Sequence, residues 1–512
     1  MYEGIAGSPG TINPLLALSD ADRDLVSLIY AGLMRSDGRG GLKPELASHY
    51  EISEDGLTYT FWLREGLTWH DGKPVTVDDI IFTIEATKNV GIRSPKRANW
   101  EGVEVEKIDQ GAVKFILKKP YAPFLENTKL GILPKHLWGK LSSKEFSLTE
   151  LNTKPIGAGP YKIDSFTKGA SGAISSLYLK AFKNYKPARP FINNVTLLFY
   201  PGEEDLIAAY RKGNITSMKL TPKSVGEISM ANKVLWKAAL PQMFGLFFNQ
   251  SKSPALADIA VRRALEAALD RERIIQEVFG GNALIQSTPI FPDDEQKIAS
   301  LTESKQSIEE IHTMLIDAGW KENENGIFEK KEKNKDLVTL EFTLTTSDNP
   351  ELVSTAKVLQ NIWQGAGIKV NLEIFELGSL EQNIIRPRKY EALLFGQVVG
   401  FNPDPFAFWH SSQINDPGLN VALYANTKVD RFLEEVRTII DWEEREEKYD
   451  AFQEEIAKEL PAIFLYSPIY LYLMPDDIYG VDIQRITIGA ERFSDIENWY
   501  KNTQNIWKVF IE

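Results

Sequence analysis

The 512-residue chain contains no cysteine. That absence removes disulfides, thiolate metal sites and thiol nucleophiles together, so stability has to come from packing. Positive charge is also short, because 58 Lys and Arg against 71 Asp and Glu leave a net charge of -13. Nucleic-acid affinity needs clustered cations that release counterions, so no nucleic-acid partner is expected. Histidine is scarce: His49, His70, His136, His312 and His410 are the five present, and none is followed by Glu, which excludes an HExxH zinc site. The chain has no GxxxxGK[ST], GxGxxG or GxSxG pattern, the usual sequence handles for nucleotide binding and serine hydrolysis. Long apolar runs are missing too. The nearest, AIFLYSPIYLYLM from Ala462 to Met474, is interrupted by Ser467 and Pro468 and falls short of the ~20 residues a spanning helix needs. The opening MYEGIAGSPG has neither a basic n-region nor an apolar h-region, so it is not read as a signal peptide.

What is present describes a globular protein. Hydrophobic residues make up 43% and charged residues 25%, and at ~150 residues per domain the length suggests about three structural units. From Ser19 onward, SDADRDLVSLIYAGLM places Leu25, Leu28, Ile29 and Leu33 on one face, which predicts a helix over Asp22–Met34. Asp20, Asp22 and Asp24 imitate the start of a calcium loop, but Leu25 replaces the turn glycine and Ala31 the bidentate Glu, so these carboxylates are read as helix caps. Alternation through Leu57, Tyr59, Phe61 and Leu63, a turn at Asp71-Gly72 and a cap near Thr76 predict strand, turn and helix. Further strands are expected at Val113–Leu117 and Val195–Phe199. A helix is predicted from Leu256 to Phe279, ending at Gly280-Gly281. LVTLEFTLTT, a helix over Pro350–Gly365 and KVNLEIFEL form a β-α-β unit. Glu329–Asp336 reads as a solvated hairpin tip and Glu443–Lys448 as an exposed helix face. The fold class is mixed α and β.

Aromatic residues are plentiful, with 11 Trp, 18 Tyr and 26 Phe. Several crowd into Gly400–Gln413 and Phe464–Leu473. Single rings usually fill cores, but Pro403 and Pro405 break regular structure and put the first cluster on a loop, where side chains more often serve binding. A carboxylate-based hydrolase stays open as an alternative, since 71 acidic residues supply some suitable pair by chance.

The order of these pieces resembles the family 5 extracellular solute-binding proteins, the oligopeptide, dipeptide and nickel receptors of bacterial ABC importers. The resemblance rests on INPLLALSDADRDLVSLIYAGLMR, on LKPELASHYEISEDGLTYTFWLREGLTWHDGKPVTVDDIIFTIE and on GAGPYKI at Gly157–Ile163. It continues through LFFN at Leu246–Asn249, ALADIAVRRALEAALDRERIIQEVFGG, the β-α-β unit with GAGIKV, and FNPDPFAFW. It implies a two-lobed clamp of the periplasmic binding-protein kind (type II, cluster C-like). Lobe I would comprise residues 1–45, 166–247 and 469–512, with an inserted β-rich subdomain at 46–165, and lobe II residues 248–468. The chain would cross between lobes at Phe247–Gln250 and about Ser467–Tyr472, extended segments that suit a hinge.

By the same resemblance the protein is a monomeric, non-enzymatic extracytoplasmic receptor, periplasmic or lipid-anchored through an upstream cysteine. It would capture peptides or peptide-like solutes as an extended strand and deliver them to ABC permease subunits; a signalling-peptide sensor is the related alternative. No cofactor or metal is implied, and His410 alone makes a poor nickel site. The implied ligand-binding residues are Asn13, Asn249, Gln397, Gly400, Phe401, Asn402, Asp404, Trp409, His410 and Tyr466. Many peptide-binding members place an Asp shortly before the PDP-like motif to pair with the ligand's α-amine. Phe401 occupies that position here, which puts short free-amine peptides in doubt. For Asn13, stabilisation of its own turn before Pro14 is the alternative to ligand contact.

Overall fold

The strand Tyr2–Ala6 runs parallel to Asn194–Tyr200 on one side and to Ser217–Leu220 on the other. The two outer strands are joined by the helix Glu203–Arg211, which crosses over the first strand as in any parallel β-α-β unit. This is the centre of unit 1, built from Met1–Leu240 and Tyr470–Glu512; unit 2 is Pro241–Ile469. The computed structural model describes residues 1–170, 172–291, 306–331, 336–439 and 441–502. Ile174–Ala181 and Tyr161–Lys168 extend the unit 1 sheet in antiparallel fashion, and the second half of Ala462–Pro475 closes its other end against Ser217–Leu220. No helix among the described residues is long and apolar enough to cross a membrane; Ala462–Pro475 is instead one largely buried strand.

The first helix spans Asp20–Ile29, shorter than the predicted Asp22–Met34. Its start is fixed by Ser19 and Asp22 in a capping box. The Asp22 carboxylate also accepts N–H groups from Gly10 at 2.8 Å and Thr11 at 3.0 Å, so it organises the whole preceding loop. Its end is fixed from outside: the Ile29 carbonyl accepts the Gly159 N–H at 2.8 Å, and Met34 belongs to the strand Met34–Ser36. The GAG motif has a steric cause here. A Cβ on Gly157 would lie 1.9 Å from the Ile29 oxygen, and one on Gly159 2.6 Å from the Ile29 carbonyl carbon. His70 holds this loop, its Nδ1 accepting the Gly157 N–H at 3.2 Å, which leaves Nε2–H to donate to the Gly159 oxygen at 3.1 Å.

Within unit 1, Ala47–Ile52, Thr58–Leu63, Ala112–Ile116 and Glu104–Lys107 form a separate antiparallel sheet in that order. The helix Val77–Lys88 begins at Thr76 as predicted. Phe61, Trp69, Trp100, Phe115 and Phe124 lie in the core shared by these elements.

Unit 2 carries a sheet ordered Lys369–Phe375, Glu341–Ser347, Ala392–Val398, Gln242–Phe248 and the first half of Ala462–Pro475. The β-α-β unit is present, with Asn349 capping the helix Pro350–Gly365 between the parallel strands Glu341–Ser347 and Lys369–Phe375. The predicted helix over Leu256–Phe279 is three helices, Pro254–Ala257, Ile259–Ala267 and Arg271–Phe279. Asp258 and Asp270 divide it, because each carboxylate caps a new start, accepting from Ala260 and Arg273. Gly280, in the left-handed region, ends the last one. The hairpin of Phe328–Lys331 with Leu337–Thr339 is present, while its tip at 332–335 lies outside the described residues. One face of the sheet packs Leu246, Leu344 and Leu394 against helices; the other packs Met243, Phe247, Leu393 and Phe464 with Trp409 and Phe452.

The division into units begins earlier than the expected residue 248. Gln242–Phe248 pairs with Ala392–Val398 on one side and Ala462–Tyr466 on the other, both in unit 2, so the chain leaves unit 1 at Leu240. It returns at Tyr470, inside Ala462–Pro475.

Arg492 binds unit 1 together. Its guanidinium donates to both Asp24 oxygens at 2.7 Å and to Glu3 at 3.0 Å, and the Tyr472 hydroxyl donates to the other Glu3 oxygen at 2.7 Å. Burial pushes the Glu3 carboxyl up, and Arg492 opposes that shift. Removing one partner from such a group leaves an unpaired buried charge, so Arg492→Met is expected to lower the unfolding free energy by about 3–5 kcal/mol in denaturant titration.

His70 supplies a pH signature. Burial pushes its imidazole down to about 4 from an ordinary 6.5. Stability linked to this group is present above 6.5 and is lost as pH falls through the folded value, because only the unfolded chain protonates readily in that window. The expected loss is about 3 kcal/mol between those limits, and His70→Gln should flatten that part of the stability profile.

Candidate functional site

In unit 2, the strand Ala392–Val398 is paired along its whole length with Gln242–Phe248, from Phe248↔Ala392 to Gln242↔Val398. On its other flank the main chain of Glu341–Ser347 pairs with Ala392 and Leu393, and the Thr346 hydroxyl donates to the Leu394 oxygen at 2.9 Å. The odd-numbered residues turn their main chain toward the first partner, as the bonds from Asn249 N–H to the Glu391 oxygen and from Val399 N–H to the Pro241 oxygen, both 2.8 Å, indicate. Gly396 and Val398 therefore direct their main-chain groups to the flank where, among the described residues, no strand stands opposite. An open strand edge of this kind is a template for an added extended chain. Gly396 is needed because a Cβ there would lie 2.5 Å from the Phe244 ring, which stacks on Tyr466 at 5.2 Å.

The strand leads into a loop that is held from behind. Gly400 has φ of 76°, a conformation that favours glycine. Asn402 accepts from the Arg445 guanidinium at 2.5 Å, the Pro403 carbonyl from the Tyr449 hydroxyl at 2.6 Å, and Asp404 from Arg437 at 2.8 Å. Arg437 also lies 4.2 Å over the Phe406 ring. Arg445 sits in the segment read as an exposed helix face, yet it is buried on the helix Trp442–Glu459 because it faces this loop. The geometry is that of a preorganised turn whose one carboxylate is engaged with Arg437.

The predicted residues divide accordingly. Gly400, Phe401, Asn402 and Asp404 come together in this turn, with Gln397 immediately before it; the Gln397 Oε1 is buried with no hydrogen-bond partner among the described residues. Phe401 is half-buried, its ring edge-on to Phe291 at 5.5 Å. Trp409 is core, packed among Phe247, Tyr424, Phe452 and Phe464. His410 stacks on Phe406 at 4.1 Å, its Nδ1 accepting the Ser412 N–H. Asn249 is buried, with its amide bonded to the Arg388 carbonyl and Ser251, and the Tyr466 hydroxyl lies 3.3 Å from Thr355. In unit 1, Asn13 is wholly buried: its Oδ1 accepts the Leu15 N–H at 2.9 Å and its Nδ2 donates to Asn152 at 3.0 Å. That geometry matches stabilisation of its own turn. Among the described residues no group of three or more His, Asp or Glu is placed to hold a metal ion.

Sequence reasoning missed a cavity of 170 Å³ in unit 1 at the carboxyl end of Tyr2–Ala6, where Asp20, Glu203, Lys219, Tyr470 and Arg492 are among the lining residues. No local pattern marks it, because these side chains come from five separate segments that only the fold assembles.

A mixed α/β chain that passes twice between two units, with an open strand edge leading into a braced turn, has the makings of a solute-binding protein. It belongs to the bacterial extracellular solute-binding proteins, family 5: the family model for their middle region matches residues 41–418. The chain is similar to the oligopeptide-binding protein AppA of Bacillus subtilis, 29% identical over 492 residues, which are 93% of this chain and 88% of AppA. It is 26% identical to the dipeptide-binding protein of Escherichia coli over 96% of this chain and 93% of that protein. Among solved structures, AppA from Bacillus subtilis in complex with a nonapeptide matches with a TM-score of 0.73 and 27% identity, over 98% of this chain and 99% of AppA. NikZ from Campylobacter jejuni in complex with Ni(L-His) matches with a TM-score of 0.75 and 27% identity over the same shares of the two chains.

Because the amide of Asn13 closes a buried turn, Asn13→Ala is expected to lower the unfolding free energy by about 1–3 kcal/mol while leaving ligand affinity in place. Thermal denaturation beside calorimetry checks this; weakened binding with an unmoved melting midpoint would put Asn13 at the ligand instead.

Proposed function

We propose that this protein is a non-enzymatic receptor that captures peptides outside the cytoplasm, mainly through their main chain, and hands them to the membrane subunits of an ABC importer. The observation that carries the reading is the open flank at Gly396 and Val398 in a chain of this family, since an added strand is held by its backbone whatever its side chains are. The named ligands of the similar proteins, an oligopeptide, a dipeptide and a nonapeptide, support the class. The turn after the strand supports a narrower statement: position 401 is Phe, and Asp404 is engaged with Arg437. A peptide's α-amine therefore finds no uncommitted carboxylate in residues 400–410, and recognition of the free amino end is not the anchor in this turn.

Native mass spectrometry of the purified protein under gentle conditions, followed by denaturation to release and sequence whatever co-purifies, tests the reading. Peptides of varied sequence, released intact, are the expected result. Release of cleaved products at catalytic ratios from an added peptide or oligosaccharide pool would favour the carboxylate hydrolase, and a single defined peptide would favour a signalling sensor.

A further inference from the structure

The 170 Å³ cavity lies wholly within unit 1, where the strand Tyr2–Ala6 ends between two parallel neighbours. The carboxyl ends of parallel strands, where chain connections depart in different directions, are where α/β folds bind ligands. Two helices begin here, and their first residues, Asp20 and Glu203, both line the cavity.

Most of the charges around it are already matched. Asp24 and Arg492 form a two-bond pair at 2.7 Å, and Glu203 accepts from the Thr221 N–H at 2.7 Å and the Thr221 hydroxyl at 2.9 Å. Asp20 and Lys219 are different. Their closest approach is 3.7 Å, with side chains 64% and 55% exposed, and Asp20 also meets the exposed Arg23 at 3.3 Å. Pairs of this kind contribute little and exchange readily. The Lys219 ammonium also stands 5.8 Å over the Tyr470 ring. Tyr470 is only 3% exposed. It lines the cavity, and its hydroxyl has no hydrogen-bond partner among the described residues. A cation is thus already placed beside one carboxylate and one aromatic ring, carried on a flexible, exposed arm.

We propose that this cavity of unit 1 takes a cationic group, the basic side chain of a peptide, held by Asp20 and by the ring and hydroxyl of Tyr470, and that Lys219 is a tethered stand-in which such a group displaces. The proposal rests on the peptide reading above. An ammonium suits the place because it can donate to both the carboxylate and the phenol oxygen while facing the ring. The matched pair of Asp24 and Arg492 beneath adds no net charge that would repel it. Lys219 then sets specificity by competition, since every cationic ligand has to replace an interaction the protein already makes.

Calorimetry with alanine pentapeptides carrying one lysine at each position in turn, and with the same series carrying norleucine, tests this. In the wild type one lysine position should bind about tenfold tighter than its norleucine counterpart. Asp20→Asn, an exposed and isosteric change, should abolish the difference between lysine and norleucine peptides measured within that variant, and Lys219→Met should enlarge it. Equal affinities for lysine and norleucine throughout, or a preference untouched by both variants, would overturn the subsite while leaving peptide binding intact. If no pentapeptide binds, the peptide reading fails, and cadaverine decides the subsite alone. Millimolar binding that Asp20→Asn removes supports it, and no binding to the wild type or to Lys219→Met overturns it.

Discussion

Unit 1 depends on one buried charge arrangement. Arg492, near the end of the described chain, holds Asp24 on the first helix and Glu3 on the first strand, and Tyr472 completes Glu3 from the strand that returns out of unit 2. Four segments distant in sequence meet at one guanidinium. Desolvating these groups is expensive, and the arrangement is tolerable only because every carboxylate oxygen involved has a donor. It therefore specifies how the segments assemble as much as it stabilises them. The strand Tyr2–Ala6 lies between its parallel neighbours with Glu3 pinned from both sides, and the cavity at the carboxyl end of that strand inherits its rigidity.

In unit 2 the same economy appears around the turn that follows Ala392–Val398. Arg445 and Tyr449 on the helix Trp442–Glu459 and Arg437 on the helix Thr427–Thr438 take the polar groups of Asn402, Pro403 and Asp404. A turn braced in this way loses little freedom when something binds against it, which is where affinity is otherwise forfeited. Among the described residues no strand stands opposite the adjacent flank at Gly396 and Val398, so rigidity in the turn and availability in the strand lie next to one another.

Much of this was legible in the sequence, and the exceptions have physical causes. The capped helix at Thr76, the β-α-β unit around Pro350–Gly365 and the order of family motifs are local patterns, and they appear where expected. The first helix ends at Ile29 because glycines far along the chain press on its last carbonyl, and no periodicity records that contact. The three helices between Pro254 and Phe279 keep the apolar spacing of one, while Asp258 and Asp270 prefer to cap. Among the site residues, the aromatic crowding at Gly400–Gln413 is equally compatible with core and with binding, and the rings divide between such roles: Trp409 fills the core, Phe406 supports Arg437 and His410, and Phe401 is half-buried beside Phe291. Composition cannot separate these roles, because they depend on backbone direction: Pro405 starts the short helix Phe406–Trp409 instead of keeping the whole cluster on a loop, and Phe401 stays in the turn before it.

The distribution of free and committed charge follows from these constraints. A receptor that holds backbone gains breadth, since main-chain groups are the same in every peptide, and any fixed charge near the ligand narrows that breadth in proportion to how little of it is already matched. In the turn of unit 2 the only carboxylate is matched by Arg437. In the cavity of unit 1 Asp24 and Glu203 are matched by Arg492 and Thr221, and only Asp20 is held loosely, by exposed cations. In the proposed reading, discrimination by charge falls to this one weakly paired aspartate, while Asp24, Glu203 and Asp404 are committed to contacts that hold the fold in place.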